Sequence, residues 1–323
     1  MKRIIILLFF GFLVLSMKAQ TKKYHVNGKI KTVGFYNKQN LKIGEWRQYW
    51  ISGGLYAVIH YKNGIKTSWE HYQENGNLKE SGSYLDNKKN GEWKYYDLKG
   101  KLYKTGTFII GKYEGEWKTF YNGKLTSLKR YKNGKKEGEW VWYQNGKLHQ
   151  LEHYIDDKAT GFSKSFFDNG NPIYIRRYNK GVPIGVHTQY YKDGSIKSIT
   201  TYSKGVKITT SYYYNSGTIS NSKIYKTNQV LAKSFYENGK LGSVGYREII
   251  ENYEQNTGKW KYYHQNGKLH YKGKYIAGKR NGNWKGYHDN RKRKFKGTYK
   301  NDEKIGTWKF YSRNGKLDRC LQK

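Results

Sequence analysis

The chain has 323 residues. Its formal net charge is +38, because it contains 62 Lys and Arg but only 24 Asp and Glu, and its mean hydropathy is −1.00. Its apolar material is mostly aromatic, with 34 tyrosines and 10 tryptophans, whereas glycine occurs 37 times and proline twice. This many aromatic residues exclude an ordinary disordered chain, and the shortage of aliphatic residues excludes a thick aliphatic core. The composition favours thin β-sheets with aromatic faces.

The first nineteen residues have the pattern of a secretory signal peptide. Lys2 and Arg3 precede an apolar run from Ile4 to Leu15, and Ala19 offers a small residue for cleavage. The run is shorter than the roughly 20 residues that cross a bilayer, so an uncleaved anchor is the weaker alternative and no transmembrane span is expected after cleavage. A single cysteine excludes an internal disulfide framework. We therefore expect a bacterial protein exported to the periplasm, the cell surface or the medium.

A tryptophan recurs every 23 or 24 residues, which is the mark of a repeat array. The periodic tryptophans are Trp46, Trp69, Trp93, Trp117, Trp140, Trp260, Trp284 and Trp308. Alignment on the neighbouring glycines places Ser163, His187 and Thr210 at the same position in the gap, followed by either Ala232 or Lys233. About twelve units result.

Each unit reads as a β-hairpin, because two short runs rich in aromatic and β-branched residues flank a turn dipeptide. Asn-Gly, the dipeptide that suits tight hairpin turns, occurs twelve times. Alternation places Trp93 and Tyr95 on one face, and it places the strand glycines Gly82, Gly106 and Gly273 on that same aromatic face. A glycine there leaves room for a neighbouring indole. The sequence predicts an all-β fold, an elongated single-layer twisted antiparallel sheet of about twelve 23–24-residue β-hairpin repeats.

The repeat pattern divides the chain into five regions. These are the signal peptide 1–19, a partial or capping repeat 20–43, Trp-containing repeats 44–160, degenerate repeats with a spacer 161–257, and Trp-containing repeats with a C-terminal cap 258–323. Because the central region lacks the tryptophans, we expect it to be the least rigid part.

The combination Gly-Glu-Trp-x-x-Tyr, Asn-Gly-Lys-Leu and Tyr-x-Asn-Gly-Lys-x-x-Gly resembles MORN repeats, in particular the bacterial variant of YwqK-type antitoxins. The resemblance extends from about Asn27 to Leu317 and departs from the pattern in the central repeats and in the spacer before Gly258. It implies an elongated antiparallel β array that acts as an interaction scaffold, sometimes at membranes, and it implies no enzyme.

The residues themselves give no sign of catalysis, a metal site or a cofactor. The nine histidines are scattered, and the nearest pair, His149 and His153, would lie about 13 Å apart on a strand, too far for one ion. The acidic stretch 247–257 adds about four residues before Gly258, either as a tolerated surface insertion or as a partner-binding loop.

Two sets of residues are candidates for binding. The first is the aromatic face formed by the eight periodic tryptophans. The second is a cationic edge of lysines that follow the turn glycines, about 10 Å apart in neighbouring repeats. Its members are Lys101, Lys124, Lys147, Lys240, Lys268 and Lys316.

These surfaces predict a non-enzymatic exported scaffold that binds a protein or an anionic polymer or lipid of the cell envelope. The alternatives are an antitoxin or immunity protein, which follows from the resemblance alone, and a glycan-binding adhesin module. Nucleic acid is also an anionic polymer that the positive charge would attract, but export makes it the weaker candidate partner.

Overall fold

The computed structural model describes residues 20–251 and 253–323, which contain 29 β-strands and no helix. The predicted signal peptide therefore lies outside the described residues. The chain divides into two compact units, Met1–Lys135 and Lys136–Lys323, each of which is described by itself.

The first unit is an open antiparallel sheet in which each strand pairs with the next one along the chain. Its strands are β1 (Gln20–Tyr24), β2 (Ile30–Tyr36), β3 (Lys42–Tyr49), β4 (Leu55–Lys62), β5 (Ile65–Tyr72), β6 (Leu78–Leu85), β7 (Lys88–Tyr96), β8 (Leu102–Ile109), β9 (Lys112–Tyr121) and β10 (Lys124–Lys132). The short β11 (Lys135–Lys136) falls at the boundary.

The second unit repeats this arrangement. Its strands are β12 (Gly138–Gln144), β13 (Lys147–Ile155), β14 (Lys158–Ala159), β15 (Gly161–Phe166), β16 (Pro172–Asn179), β17 (Val182–Pro183), β18 (Gly185–Tyr190), β19 (Ile196–Ser203), β20 (Val206–Tyr213), β21 (Ile219–Tyr225), β22 (Gln229–Phe235), β23 (Leu241–Ile250), β24 (Tyr253–Tyr263), β25 (Leu269–Ile276), β26 (Lys279–Tyr287), β27 (Arg293–Lys300), β28 (Glu303–Tyr311) and β29 (Leu317–Gln322). The predicted all-β array of antiparallel hairpin repeats, one sheet thick, is confirmed within each unit.

The hairpin turns are of two kinds. At Asn122-Gly123 both residues have positive φ, 48° and 75°, as two-residue hairpin turns require. At Asn266-Gly267 only the glycine does, with φ 85°, and its N–H donates to the His264 carbonyl at 2.8 Å. The same dipeptide thus serves a two-residue turn and a longer turn that ends in a left-handed glycine.

The core is a row of indoles on one face of each sheet. In the first unit Trp93, Phe108 and Trp117 form one buried cluster, with partly buried tyrosines packed against it. Trp284, Tyr299 and Trp308 form the equivalent cluster in the second unit. Because the rings meet mostly edge to face, neighbouring repeats are joined through aromatic contacts.

A glycine in the second strand of each of several hairpins leaves space for the indole of the next repeat. A Cβ added at this glycine would overlap the indole of the following repeat, so only glycine fits there. The pairs are Gly34 with Trp46, Gly82 with Trp93, Gly106 with Trp117, Gly245 with Trp260, Gly273 with Trp284, and Gly297 with Trp308. The predicted pairing of strand glycine with indole is confirmed.

The central repeats keep the same fold with smaller residues at the Trp position. Ser163, Thr210 and Ala232 are all buried there. The ambiguity between Ala232 and Lys233 is resolved, since Ala232 is 6% exposed and pairs with Gly245, whereas Lys233 is only partly buried. The added residues of the 247–257 stretch lengthen the hairpin formed by β23 and β24.

Candidate binding surfaces

The tryptophans of the predicted aromatic face are core residues. Seven of them, Trp46, Trp93, Trp117, Trp140, Trp260, Trp284 and Trp308, are at most 5% exposed, and Trp69 is half-buried. The indole N–H of Trp93 donates to the Ser83 carbonyl at 3.1 Å, and that of Trp117 donates to Thr107 at 3.1 Å. Their placement favours packing between repeats over stacking against a ligand such as a sugar ring.

A lysine covers the outer side of several indoles, a role that the sequence analysis missed. The Nζ atoms of Lys42, Lys89, Lys136 and Lys304 lie 4.5, 3.6, 4.4 and 4.8 Å from the ring centroids of Trp46, Trp93, Trp140 and Trp308. Burial, followed by the charge of Lys23, lowers the pKa of Lys42. The Lys-x-x-x-Trp spacing could have identified these cation–π contacts. Part of the positive charge of the chain is therefore structural.

The lysines of the predicted cationic edge lie beside the turns, and two of them link one turn to the next. The ammonium groups of Lys147 and Lys240 donate to the carbonyls of Asp168 and Asn266 at 3.0 and 3.3 Å. Lys29 and Lys292 make the same bridge to Ser52 and Asn314. Such bridges occupy the ammonium groups in repeat stacking.

The other members of the predicted edge are placed differently. The backbone N–H groups of Lys101, Lys268 and Lys316 donate to a turn Asp or Asn, and Lys124 begins β10. Of these four lysines, Lys101, Lys124 and Lys316 are exposed and Lys268 is partly buried. Their part in ligand binding remains a prediction.

His187 takes over the role of a tryptophan. Its Nε2 lies 2.8 Å from the Arg177 carbonyl oxygen, the position equivalent to the acceptor of Trp93. Its ring lies between those of Tyr178 and Tyr202, with centroid distances of 5.4 and 4.5 Å. Where a full indole has a glycine opposite it on the preceding strand, the register of β16 and β18 puts Arg176 opposite His187, and the two residues line one depression. The imidazole keeps the hydrogen bond of the core with less volume.

A depression of about 720 Å³ in the first unit is lined by aromatic rings, including Trp50, His71 and Tyr72. Trp50 Nε1 and Gln73 Oε1 are buried there without a hydrogen-bond partner among the described residues. Burial, followed by the charge of Lys79, lowers the pKa of His71, and the neighbouring Glu80 opposes this shift. One donor and one acceptor are thus buried without a protein partner beside this depression.

Chemistry-bearing side chains are dispersed across residues 20–251 and 253–323. That part of the chain contains no group of three His, Cys, Asp or Glu side chains arranged to hold a metal ion. It also contains no helix long and apolar enough to cross a membrane. The histidines and acidic residues make local hydrogen bonds and ion pairs instead, as His264 does with Tyr287 and Glu254 with Lys223.

Solved structures with some likeness to this chain are parts of much larger assemblies. One is the Tc holotoxin pore of Photorhabdus luminescens, 11% identical, for which the match covers 90% of this chain and 18% of that chain with a TM-score of 0.17. Another is the TcdB2–TccC3–Cdc42 crystal structure, also 11% identical, with coverage of 93% and 26% and a TM-score of 0.14. The chain spans about a fifth to a quarter of the length of these proteins.

No curated protein matches the sequence. Six segments match the family described as MORN repeat variant, namely residues 68–86, 89–109, 136–156, 183–204, 256–277 and 304–322. The matched segments fall in both compact units and coincide with the hairpins described above. These six segments of the chain are therefore similar to MORN repeats.

Proposed function

We propose that this chain is a non-enzymatic, exported repeat scaffold that binds a protein or an anionic polymer or lipid of the cell envelope. The observation that carries this proposal is the difference between the two faces of the sheet, one of which is buried and aromatic while the other is exposed and polar. In β26, for example, Trp284 is 2% exposed, whereas the next residue, Lys285, is exposed. The aromatic face joins the repeats, and the polar face is accessible across neighbouring strands.

Export is supported by the sequence of residues 1–19 alone. We place the scaffold ahead of a YwqK-type antitoxin because an exported protein would be separated from a cytosolic toxin. We also place it ahead of an adhesin that stacks sugars on its tryptophans, because seven of the eight periodic indoles are buried.

Fractionation of the producing cells followed by cross-linking tests the proposal. We expect the protein in the exported fraction, cross-linked to a specific envelope component. A variant without residues 1–19 is the matched control, and it should remain in the cytosol and lose that product. Recovery of the full-length protein only from the cytosol would contradict export, and an exported protein without a cross-linked component would contradict the scaffold.

A further inference from the structure

Five lysines lie opposite one another on consecutive strands of the second unit. Lys261 of β24 pairs with Lys272 of β25, which pairs with Lys285 of β26. Lys285 pairs with Lys296 of β27, and Lys296 pairs with Lys309 of β28. We call these five residues the lysine ladder. Side chains opposite one another on neighbouring strands share a face, so the ladder presents one charge per strand, roughly 4.8 Å apart.

The lysine ladder lies on the face opposite the indoles. Lys261 and Lys285 directly follow the buried Trp260 and Trp284 in their strands, so their side chains point the other way. Lys261, Lys272 and Lys285 are exposed, and Lys296 and Lys309 are partly buried. Lys259 and Lys274 form a second opposed pair beside the ladder.

The ladder differs from the lysines that cover indole rings and from the lysines that bridge neighbouring turns. Within residues 20–251 and 253–323, none of its five ammonium groups covers an aromatic ring, bridges two turns or forms an ion pair with a carboxylate. The charge is therefore available to a ligand. Lysines arranged in this way do not help to hold the repeats together.

Like charges placed directly opposite each other destabilise a sheet. The fold does not require them, because the same row holds other residues elsewhere in this unit. Thr188 pairs with Ile199, Ile199 with Ser211, and Ser211 with Ser222. Five lysines in succession thus lower the stability of the sheet and make no contact that supports the fold. This points to a binding role.

A depression of about 460 Å³ lies at the start of the ladder. It is lined by Lys259, Lys261, Lys272, Lys274 and Lys285, together with Trp260, Gly273 and Asn283. Gly273 faces the indole of Trp284 on the other side of the sheet, so the lysine side chains and the Asn283 amide form the polar wall of the depression. The same concavity therefore offers positive charge and hydrogen-bonding groups.

We propose that the lysine ladder binds a linear acidic polysaccharide that carries one carboxylate per sugar ring. This inference rests on the scaffold function and names its partner. In an extended chain one sugar ring is about as long as the spacing of roughly 4.8 Å between strands, so the carboxylates on the side of the chain that faces the sheet can each meet a lysine of the ladder. Lysine is a point charge without the bidentate fork of arginine, and it suits a chain that is held at many points.

The composition of this face disfavours other polyanions. Single-stranded nucleic acid is held by aromatic side chains on which bases stack, whereas Trp260, the aromatic residue that lines the depression, is only 3% exposed. A lipid surface is entered by apolar side chains, whereas Asn283 and Thr298 lie opposite each other beside the ladder. The Thr298 hydroxyl donates to Asn283 Oδ1 at 3.0 Å, which leaves the N–H groups of the Asn283 amide for a sugar hydroxyl.

Titration of the full-length protein with polygalacturonate tests the proposal. We expect saturable binding that weakens as salt rises from about 50 to 500 mM, and no binding to the methyl-esterified polymer, whose carboxylates are neutral. The variant K261Q/K272Q/K285Q should bind about tenfold more weakly. The matched control K38Q/K62Q/K88Q removes the same charge from exposed lysines of the first unit and should bind like the unchanged protein.

Several outcomes would overturn the assignment. Equal weakening in both variants would show that only net charge matters, and tighter binding to oligothymidylate or to phosphatidylglycerol vesicles would identify a different class of partner. Absence of binding to polygalacturonate would refute the ladder, yet a cross-linked envelope component would still support the scaffold function. Thermal unfolding checks both variants, and the ladder variant should be at least as stable as the unchanged protein because opposed charges are removed.

Discussion

At the residue scale, the contact between a strand glycine and the next indole limits what each repeat can tolerate. The Gly106→Ala substitution places a methyl group in the ring of Trp117. We expect it to lower the free energy of unfolding by about 1–3 kcal/mol, the usual range for an overpacked core. Urea unfolding followed by tryptophan fluorescence measures the change.

Gly54→Ala is the control for this prediction. A Cβ at Gly54 meets no atom closer than 3.8 Å, so the substitution adds a methyl group without overlap. An equal loss of stability in the two variants would show that the indole contact is not the cause.

His187 and Arg176 test the same relation between ring size and the residue opposite the ring. The imidazole of His187 is smaller than an indole, and Arg176 is larger than the glycine that accompanies an indole. We expect His187→Trp alone to lower the free energy of unfolding by about 1–3 kcal/mol through crowding against Arg176. The double variant R176G/H187W should regain part of that loss, with a coupling of at least about 0.5 kcal/mol in a double-mutant cycle. Additive effects of the two substitutions would contradict direct crowding.

At the element scale, Glu254 holds the lengthened hairpin of β23 and β24 to β21. Its carboxylate lies 2.8 Å from Lys223 Nζ and 3.2 Å from Arg247, and its side chain is 21% exposed. Burial by itself would raise the pKa of Glu254, but the hydrogen bonds and charges of Lys223 and Arg247 outweigh burial and lower the pKa below its ordinary value. The ion pair is therefore part of the folded structure of this insertion.

A lowered folded-state pKa stabilises the protein above the unfolded pKa of about 4.3, and that contribution is lost as the pH falls through the folded value. We expect Glu254→Gln to cost about 1–2 kcal/mol of unfolding free energy at pH 7, because Lys223 loses its charged partner. The difference from the unchanged protein should shrink below about pH 4. Urea unfolding at several pH values measures it.

Glu45→Gln serves as the comparison for the pH series. Glu45 pairs with Arg47 at 2.6 Å, but both side chains are well exposed, at 41% and 54%. Exposed pairs contribute little, so we expect a change below about 0.5 kcal/mol at pH 7. A loss as large as that of Glu254→Gln would mean that burial of the pair is unimportant.

At the scale of the whole molecule, the distribution of buried aromatic surface should set local stability. Ser163, Thr210 and Ala232 bury far less apolar area than the indoles that they replace. We expect amide hydrogens of β18 to β21 to exchange faster than those of β7 to β9, because repeat arrays open locally where neighbouring contacts are weakest.

Hydrogen-exchange mass spectrometry on the intact chain measures this difference. The strands β19, β20 and β8 each have eight residues, so the comparison of these three separates side-chain packing from strand length. Equal exchange in the two regions would show that backbone hydrogen bonds, and not the indoles, determine the opening of repeats.

Much of the fold could be predicted because the 23–24-residue period of the sequence reflects one repeated contact, that between a strand glycine and the next indole. The spacing of tryptophan and glycine predicted the hairpins, the aromatic face and the room for Trp93 above Gly82, and all three are confirmed. The position of Ala232 could not be fixed in this way, because without a tryptophan the period alone does not distinguish it from Lys233. Pairing of Ala232 with Gly245 fixed it.

By itself, the sequence determined the repeat class and the face of each strand, since alternation within a strand is a local property of the backbone. Only the tertiary structure decided which lysines support the fold and which remain available. Bulges, such as the register shift between Lys272 and Lys274, change which residues of neighbouring strands oppose each other. Lysines separated by 11 to 13 residues in the chain therefore form one row, and charge becomes a candidate site only where the register aligns it.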